Sequence, residues 1–235
     1  MIGWSVLGTL SPEPALARPD LLAAPVAAAL KALDAADSAR VGVAEIDPAL
    51  ADTAAFCAAY GAPMDGSANC VVVAGRRGEV VRYAACLVLA TTRADVNGLV
   101  RRRLDARKAS FAPMDGSANC VVVAGRRGEA IRHAACLVLS TTRADVNGLV
   151  RRRLDARKAS FAPMDDAVAL TGMEYGGITP LGLPDDWPLL VDAAVAAAPA
   201  VVVGSGLRGS KLALPGALVA RLPGAEVVEG LARPA

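Results

Sequence analysis

Residues 62–111 and 112–161 of this chain are one fifty-residue sequence written twice, differing only at Val80/Ala130, Val81/Ile131, Tyr83/His133 and Ala90/Ser140. Any fold must therefore place the same pattern of elements twice, or place it once and accommodate the other copy. Repeat architectures stack three or more units between polar caps, whereas these two copies lie between unlike flanks, which argues against a solenoid. The tetrapeptide APMD opens each copy and recurs at Ala162–Asp165. That is the mark of an in-frame tandem duplication, and it implies an ancestral domain of about 185 residues with one copy now surplus.

Hydrophobic residues make up 54% of the chain but aromatics only 3%, so the core has to be built from Ala, Val and Leu. The longest apolar stretch, Asp192 to Gly204, is interrupted by Pro199 and is shorter than the roughly 20 residues that span a bilayer. The opening MIGWSVLGTLSPEP has neither the basic start nor the small-residue cleavage pattern of an export signal. A soluble, cytoplasmic protein with no membrane partner is expected. Four of the five cysteines are two positions counted twice, Cys70/Cys120 and Cys86/Cys136, and Cys57 stands apart. No CxxC occurs, and the apolar surroundings mark them as reduced core residues rather than metal ligands. The lone histidine, His133, is replaced by Tyr83 in the sister copy, which suits a packing position better than a general base.

Helices and strands alternate along the chain. Leu21–Leu33 has apolar residues at helical spacing with Pro25 in its first turn, Val41–Ile46 reads as a strand, and Leu50–Tyr60 as a helix ended by Gly61. In each copy ANCVVVAG and AACLVL form a hairpin about the turn RRGE. TTRADVNGLVRRRLDA then predicts an amphipathic helix with Val96, Leu99, Val100 and Leu104 inward and Arg101, Arg102 and Arg103 outward, and KASFAP a short strand. Past the copies, Asp165 is placed to cap a helix DAVALT stopped by Gly172. Ala200–Val203 and Lys211–Leu214 are strands flanking the turn GSGLRGS, Pro215 opens a last helix, and Ala225–Val228 closes the sheet. Residues 1–40 form an N-terminal helical segment, 41–231 the main domain, and 232–235 a tail.

The chemistry concentrates after the copies, in GMEYGGITPLG and VVVGSGLRGSKLALPG. Gly176 and Gly177 let backbone approach a ligand closely, Ile178-Thr179-Pro180 stiffen the loop and offer one hydroxyl, and Gly204-Ser205-Gly206-Leu207-Arg208-Gly209 add a hydroxyl and a cation at a strand end. Each could also be an ordinary turn. GSGLRG matches the letters of a dinucleotide fingerprint, but SKLALPG follows it as a strand, without the helix whose N-terminus would face the phosphates.

With the order hairpin, helix, APMDDAVALTG, GGITPLG, GSGLRG, the chain resembles the YbaK/EbsC family of aminoacyl-tRNA deacylases, also called prolyl-tRNA synthetase associated domains. The most specific element is TGMEYGGITPLG, similar to that family's TG(Y)xxGGISPLG, and the resemblance spans roughly Val41 to Leu231. It implies an α/β fold with a mixed, curled, barrel-like sheet and surrounding helices, here carrying a tandem duplication of its hairpin-plus-helix unit. It also implies hydrolysis of the ester that joins a wrongly attached small amino acid to tRNA, with no metal or organic cofactor, the glycine loops Gly176–Pro180 and Gly204–Arg208 binding substrate. Binding alone separates small apolar amino acids poorly, so a second hydrolytic site removes the errors. Aminoacyl-tRNA is then the partner, with an aminoacyl-tRNA synthetase as a second.

Two positions depart from that pattern. Asn69 and Asn119 stand where the family commonly has lysine, and Lys211 stands where it often has an acid. One reading moves the cation to the neighbouring strand, with Lys211 orienting the ester and Asn119 supplying a neutral hydrogen bond. The other makes Lys211 a solvated strand lysine and the chain a noncatalytic aminoacyl-tRNA or protein-binding module; a nonfunctional duplication product is a third outcome. Arg101–Arg103 with Arg107-Lys108, and Arg151–Arg153 with Arg157-Lys158, could meet tRNA phosphates, although a net charge of +2 is mild for that role. Copy two is expected in the functional sheet because its join to GGITP is local, although copy one has the same claim on the N-terminal segment, and the surplus strands favour self-association.

Overall fold

The computed structural model describes residues 4–77, 80–89, 92–94, 108–110, 120–127, 130–137, 158–161, 164–185, 187–229 and 231–234. Strand β1 (Glu13–Pro14) precedes helix α1 (Ala24–Ala32), which has Pro25 in its first turn, then α2 (Ala35–Ser38) and strand β2 (Gly42–Glu45). Helix α3 (Thr53–Tyr60) follows, with its ends set by two residues. The Asp52 carboxylate accepts from the amides of Ala54 and Ala55, and Gly61 closes the helix at φ 64°.

Copy one supplies β3 (Ala68–Arg77), β4 (Val80–Leu89), β5 (Thr92–Ala94) and β6 (Lys108–Ser110), and copy two β7 (Cys120–Arg127), β8 (Ala130–Leu137) and β9 (Lys158–Phe161). Both hairpins and both KAS strands form as their sequences predict. The helix expected from TTRADVNGLVRRRLDA is different at its start, because Thr92–Ala94 is strand β5, held antiparallel against β14 (Ala232–Pro234). Its apolar stripe and both arginine clusters lie outside the described residues. Three of the four residues expected as a tail thus supply a strand, and the partner that makes it lies far away in sequence.

Helix α4 (Met164–Thr171) starts one residue earlier than Asp165, so that Asp165 lies in its first turn; Gly172 ends it at φ 65°. Strand β10 (Leu189–Asp192) was not expected from the sequence, and helix α5 (Ala193–Ala197), capped by the Asp192 carboxylate, occupies the start of the apolar run Asp192 to Gly204. Then come β11 (Val201–Gly204), β12 (Ser210–Leu214), α6 (Gly216–Val219) and β13 (Ala225–Val228).

The strands form three sheets: β1-β2-β12-β11, an eight-stranded sheet beginning β13-β10-β4-β3, and the pair β14-β5. The fold is mixed α/β with largely antiparallel pairing, and among the described strands no sheet closes on itself. A parallel bridge between Ser67 and Val202 joins the first two sheets where β3 begins. Copy one makes this connection, and β10 takes its parallel partner from copy one as well, Leu189 opposite Ala85 and Val191 opposite Leu87. Strands of both copies lie in the eight-stranded sheet, with β4 of copy one the strand paired to β10. The two copies carry identical residues at the bridge to β11 and the ladder to β10.

Register sorts the first sheet into two faces. Val202, Ala213 and Gly42 form one cross-strand row and Gly204, Lys211 and Ala44 the next row on the same face. Against that face pack Val6, Leu7, Ala51, Phe56, Cys57 and Ala62. Residues from the first forty thus enter the core directly, and Trp4 lies where a side chain on Gly42 would be. Chains lacking either copy would differ only at the four positions named above. A single-copy chain of about 185 residues is expected to fold with a melting temperature no lower than the parent's, as judged by circular dichroism. Failure to fold would contradict one copy being surplus.

Candidate active site at two glycine loops

The turn between β11 and β12 is built from two serines. The Ser205 and Ser210 hydroxyls are 2.6 Å apart, Ser210 Oγ donates to the Leu21 carbonyl at 2.7 Å, and the Leu207 amide donates to Ser205 Oγ at 3.3 Å. The Ala23 amide donates to the Ser205 carbonyl. Ser205 is fully buried and its hydroxyl holds the turn and the N-terminal segment together.

The loop after α4 is knitted to that turn. Gly206 N–H donates to Gly177 O at 2.8 Å, Glu174 N–H to Gly206 O at 2.8 Å, Arg208 N–H to Glu174 Oε2 at 2.6 Å, and Arg208 Nη1 to Tyr175 O at 3.3 Å. The glycines are explained by this approach of backbone to backbone. A Cβ on Gly204 would sit 2.1 Å from Gly177 O, one on Gly177 2.6 Å from Leu207 C and O, and Gly176 and Gly206 have φ of 82° and 86°. The structure thus brings Gly176, Gly177, Gly204, Ser205, Gly206 and Arg208 together. It also commits the amides of Gly177, Gly206, Leu207 and Arg208 to the loops themselves. Ile178 and Thr179 are buried behind them, and Pro180 leads away to a separate apolar cavity of about 200 Å³. The Thr179 amide donates to Met173 Sδ, while its hydroxyl is buried with no hydrogen-bond partner among the described residues.

Lys211 lies beside these loops. It stands opposite Gly204 on β12, on the face where the Gly177 and Ile178 carbonyls cover Gly204. Only 6% of it is exposed, which removes the solvated-lysine reading. Its ammonium donates to Ala51 O at 2.8 Å and lies 5.8 Å from the Phe56 ring centroid. An ammonium has three donors. The other two have no hydrogen-bond partner among the described residues, and no carboxylate there forms an ion pair with it. Burial holds the pKa down at about 8, assisted by Arg208 and opposed by Asp52 and Cys57. Cys57 is a buried free thiol 3.3 Å from Ser67 Oγ, its pKa raised by burial, as suits a core residue.

Asn119 lies outside the described residues. Its counterpart Asn69 has its backbone on β3, two residues past the Ser67–Val202 bridge, so the chain there runs parallel to β11 toward Gly204. In front of the loops opens a cavity of about 700 Å³ lined by Asp20, Glu45, Glu174, Tyr175, Arg208 and Ser210 among others. Of the residues singled out from sequence as binding substrate, Arg208 reaches it. Glu174 and Tyr175 were missed, although they sit inside the motif TGMEYGG, where the paired glycines drew the reading.

Residues 113–222 match the family model described as an aminoacyl-tRNA editing domain. The match falls on copy two because its sequence runs on unbroken into GGITP. No curated protein matches the chain. Among solved structures it is similar to a candidate trans-editing enzyme for prolyl tRNA synthetase, at 17% identity and TM-score 0.55, over 91% of this chain and 97% of that one. A scaffold protein from computational epitope backbone grafting gives 17%, 0.56 and the same coverage, and the hypothetical protein APE2540 gives 15%, 0.51, 81% and 90%. At these identities the likeness speaks to the fold. Among the described residues no helix is long and apolar enough to cross a membrane.

Proposed function

We propose that the chain is an aminoacyl-tRNA deacylase that hydrolyses the ester of a small amino acid mischarged onto tRNA. The observation that carries this is the placing of Lys211: a buried ammonium with two donors to spare, next to the joined glycine loops of a fold whose family edits aminoacyl-tRNA. Water adds to the ester carbonyl and gives up a proton, the oxygen of that carbonyl gains negative charge, and the ribose oxygen leaves as the carbonyl re-forms, taking up a proton to become the free hydroxyl. Lys211 stabilises the charge on the carbonyl oxygen, an electrostatic contribution that needs no side-chain nucleophile. The neutral hydrogen bond expected of Asn119 belongs to a residue outside the described ones, and its counterpart Asn69 has its backbone on β3, which bridges β11 at Ser67. No metal or organic cofactor takes part.

A noncatalytic aminoacyl-tRNA-binding module is the second reading, and the internal bonding of the loop amides favours it. Incubation with tRNAs charged with Ala, Cys or Ser separates the two. Enzyme-dependent release identifies the hydrolase, and saturable binding without release the module. If the Arg101–Arg103 and Arg151–Arg153 clusters meet phosphates, affinity for tRNA should drop about a hundredfold or more between 50 and 200 mM salt, measured by filter binding. A flat salt response would remove them from the interface.

A further inference from the structure

The buried ammonium of Lys211 reaches the start of α3. It donates at 2.8 Å to the carbonyl of Ala51, the residue just before Asp52, and lies 5.8 Å from the ring centroid of Phe56, one turn into the helix. A cation is disfavoured there, because the first turn of a helix carries the positive end of its dipole. Asp52 answers this in two ways. Its Oδ1 accepts the Ala54 and Ala55 amides, each at 3.0 Å, which fixes the turn that presents the Ala51 carbonyl. Its Oδ2 has no hydrogen-bond partner among the described residues, and no cation there forms an ion pair with the carboxylate, so its charge is left to act on its surroundings. Burial works hardest against the charged form of Lys211. Of the titratable groups facing it among the described residues, Asp52 favours that form most, Arg208 in the turn between β11 and β12 opposes it, and Cys57 on α3 favours it less.

We infer that Asp52 is a positioning residue for the reaction: fixed by the cap of α3, its carboxylate keeps the Lys211 ammonium charged beside the glycine loops and holds the carbonyl that anchors it. This deepens the deacylase reading and rests on it. Asp52 acts through Lys211, not on the ester. The two parts of its role come apart chemically. Asn caps a helix about as well as Asp but carries no charge, so Asp52→Asn leaves the Ala51 carbonyl in place and withdraws only the field of the carboxylate.

The test follows the charge on Lys211 directly and hydrolysis separately. In the full chain with carbon-13 in its lysine side chains, the NMR signal of Lys211 is told from those of Lys31, Lys108 and Lys158 by its loss in Lys211→Met. It should titrate at about 8 in wild type and about one unit lower in Asp52→Asn. Asp52→Ser, neutral and also a good cap, should reproduce the shift and carries the test if the Asn variant does not fold. Asp47→Asn makes the same change at the cap of the short turn Pro48–Leu50 and should leave the titration where it is. With a mischarged tRNA as substrate, kcat/KM of Asp52→Asn should stay within about twofold of wild type at pH 6 and fall about fivefold at pH 8. A purely structural defect would lower it equally at both. An unmoved Lys211 titration in the two Asp52 variants, an equal shift in Asp47→Asn, or the same loss of hydrolysis at pH 6 and pH 8 overturns the assignment. Because the titration is read without substrate, a shift as expected in a protein that releases no amino acid would sink the deacylase reading and leave the control of Lys211 by Asp52 standing.

Discussion

Replacing Lys211 with Met is expected to stabilise the protein by about 2 kcal/mol at pH 7 while reducing ester hydrolysis by roughly 100- to 1,000-fold. The stabilisation follows from burial. An ammonium whose pKa is held at about 8 in the folded chain, against 10.5 unfolded, is penalised in its charged form by on the order of 3 kcal/mol. Met fills similar volume without that penalty, and loses the hydrogen bond to Ala51. Below pH 8 Lys211 is protonated in both states and the penalty is full. Between pH 8 and 10.5 the unfolded chain binds more protons, so wild-type stability from this group rises with pH and the advantage of Met fades. Urea titrations of both proteins at pH 7 and pH 10 check this. In the same window the ammonium is lost from the folded protein, so kcat/KM should fall above about pH 8. An unchanged hydrolysis rate in Lys211→Met, or a loss of stability at pH 7, would show that the lysine is a packing residue.

Gly204→Ala should destabilise the chain by about 3 kcal/mol and remove activity with it. The added Cβ would lie 2.1 Å from Gly177 O, and both atoms belong to backbone, so one loop must move away from the other. The bond from Gly206 N–H to Gly177 O is the first to suffer. Gly209, five residues on, is the control. Its φ is not left-handed, and its Cβ would meet Pro48 Cγ at 3.6 Å, an ordinary contact, so Gly209→Ala should stay within about 0.5 kcal/mol of wild type. Thermal melts of the two variants decide whether the glycines serve the joining of the loops. Equal tolerance at both positions would mean that the loops are not locked together.

What could be read ahead of the structure was local. Asp52 and Gly61 mark the ends of α3 through a carboxylate reaching its own helix amides and a left-handed residue, both encoded within a few positions. The turn between β11 and β12 likewise follows from glycine and serine flanked by apolar runs. Strand β10 and helix α5 were not legible, because the run from Leu189 through Ala198 is apolar without a clean period, and only the pairing of β10 between β4 and β13 breaks it into strand and helix. The choice between two nearly identical copies could not be read locally, since the same residues offer the same hairpin and only distant partners choose. The site followed the same division. The glycine motifs announced themselves, whereas the part of Glu174 in joining the loops became visible once the Arg208 amide, thirty-four positions away, was found bonded to it.

Most direct of all is release of labelled amino acid from tRNA charged with Ala, Cys or Ser, followed for wild type and for Lys211→Met. Release above the spontaneous rate from at least one of these esters by wild type, and its near absence with the variant, is the expected result. Binding of all three with no release by wild type would contradict a hydrolytic site at the joined loops.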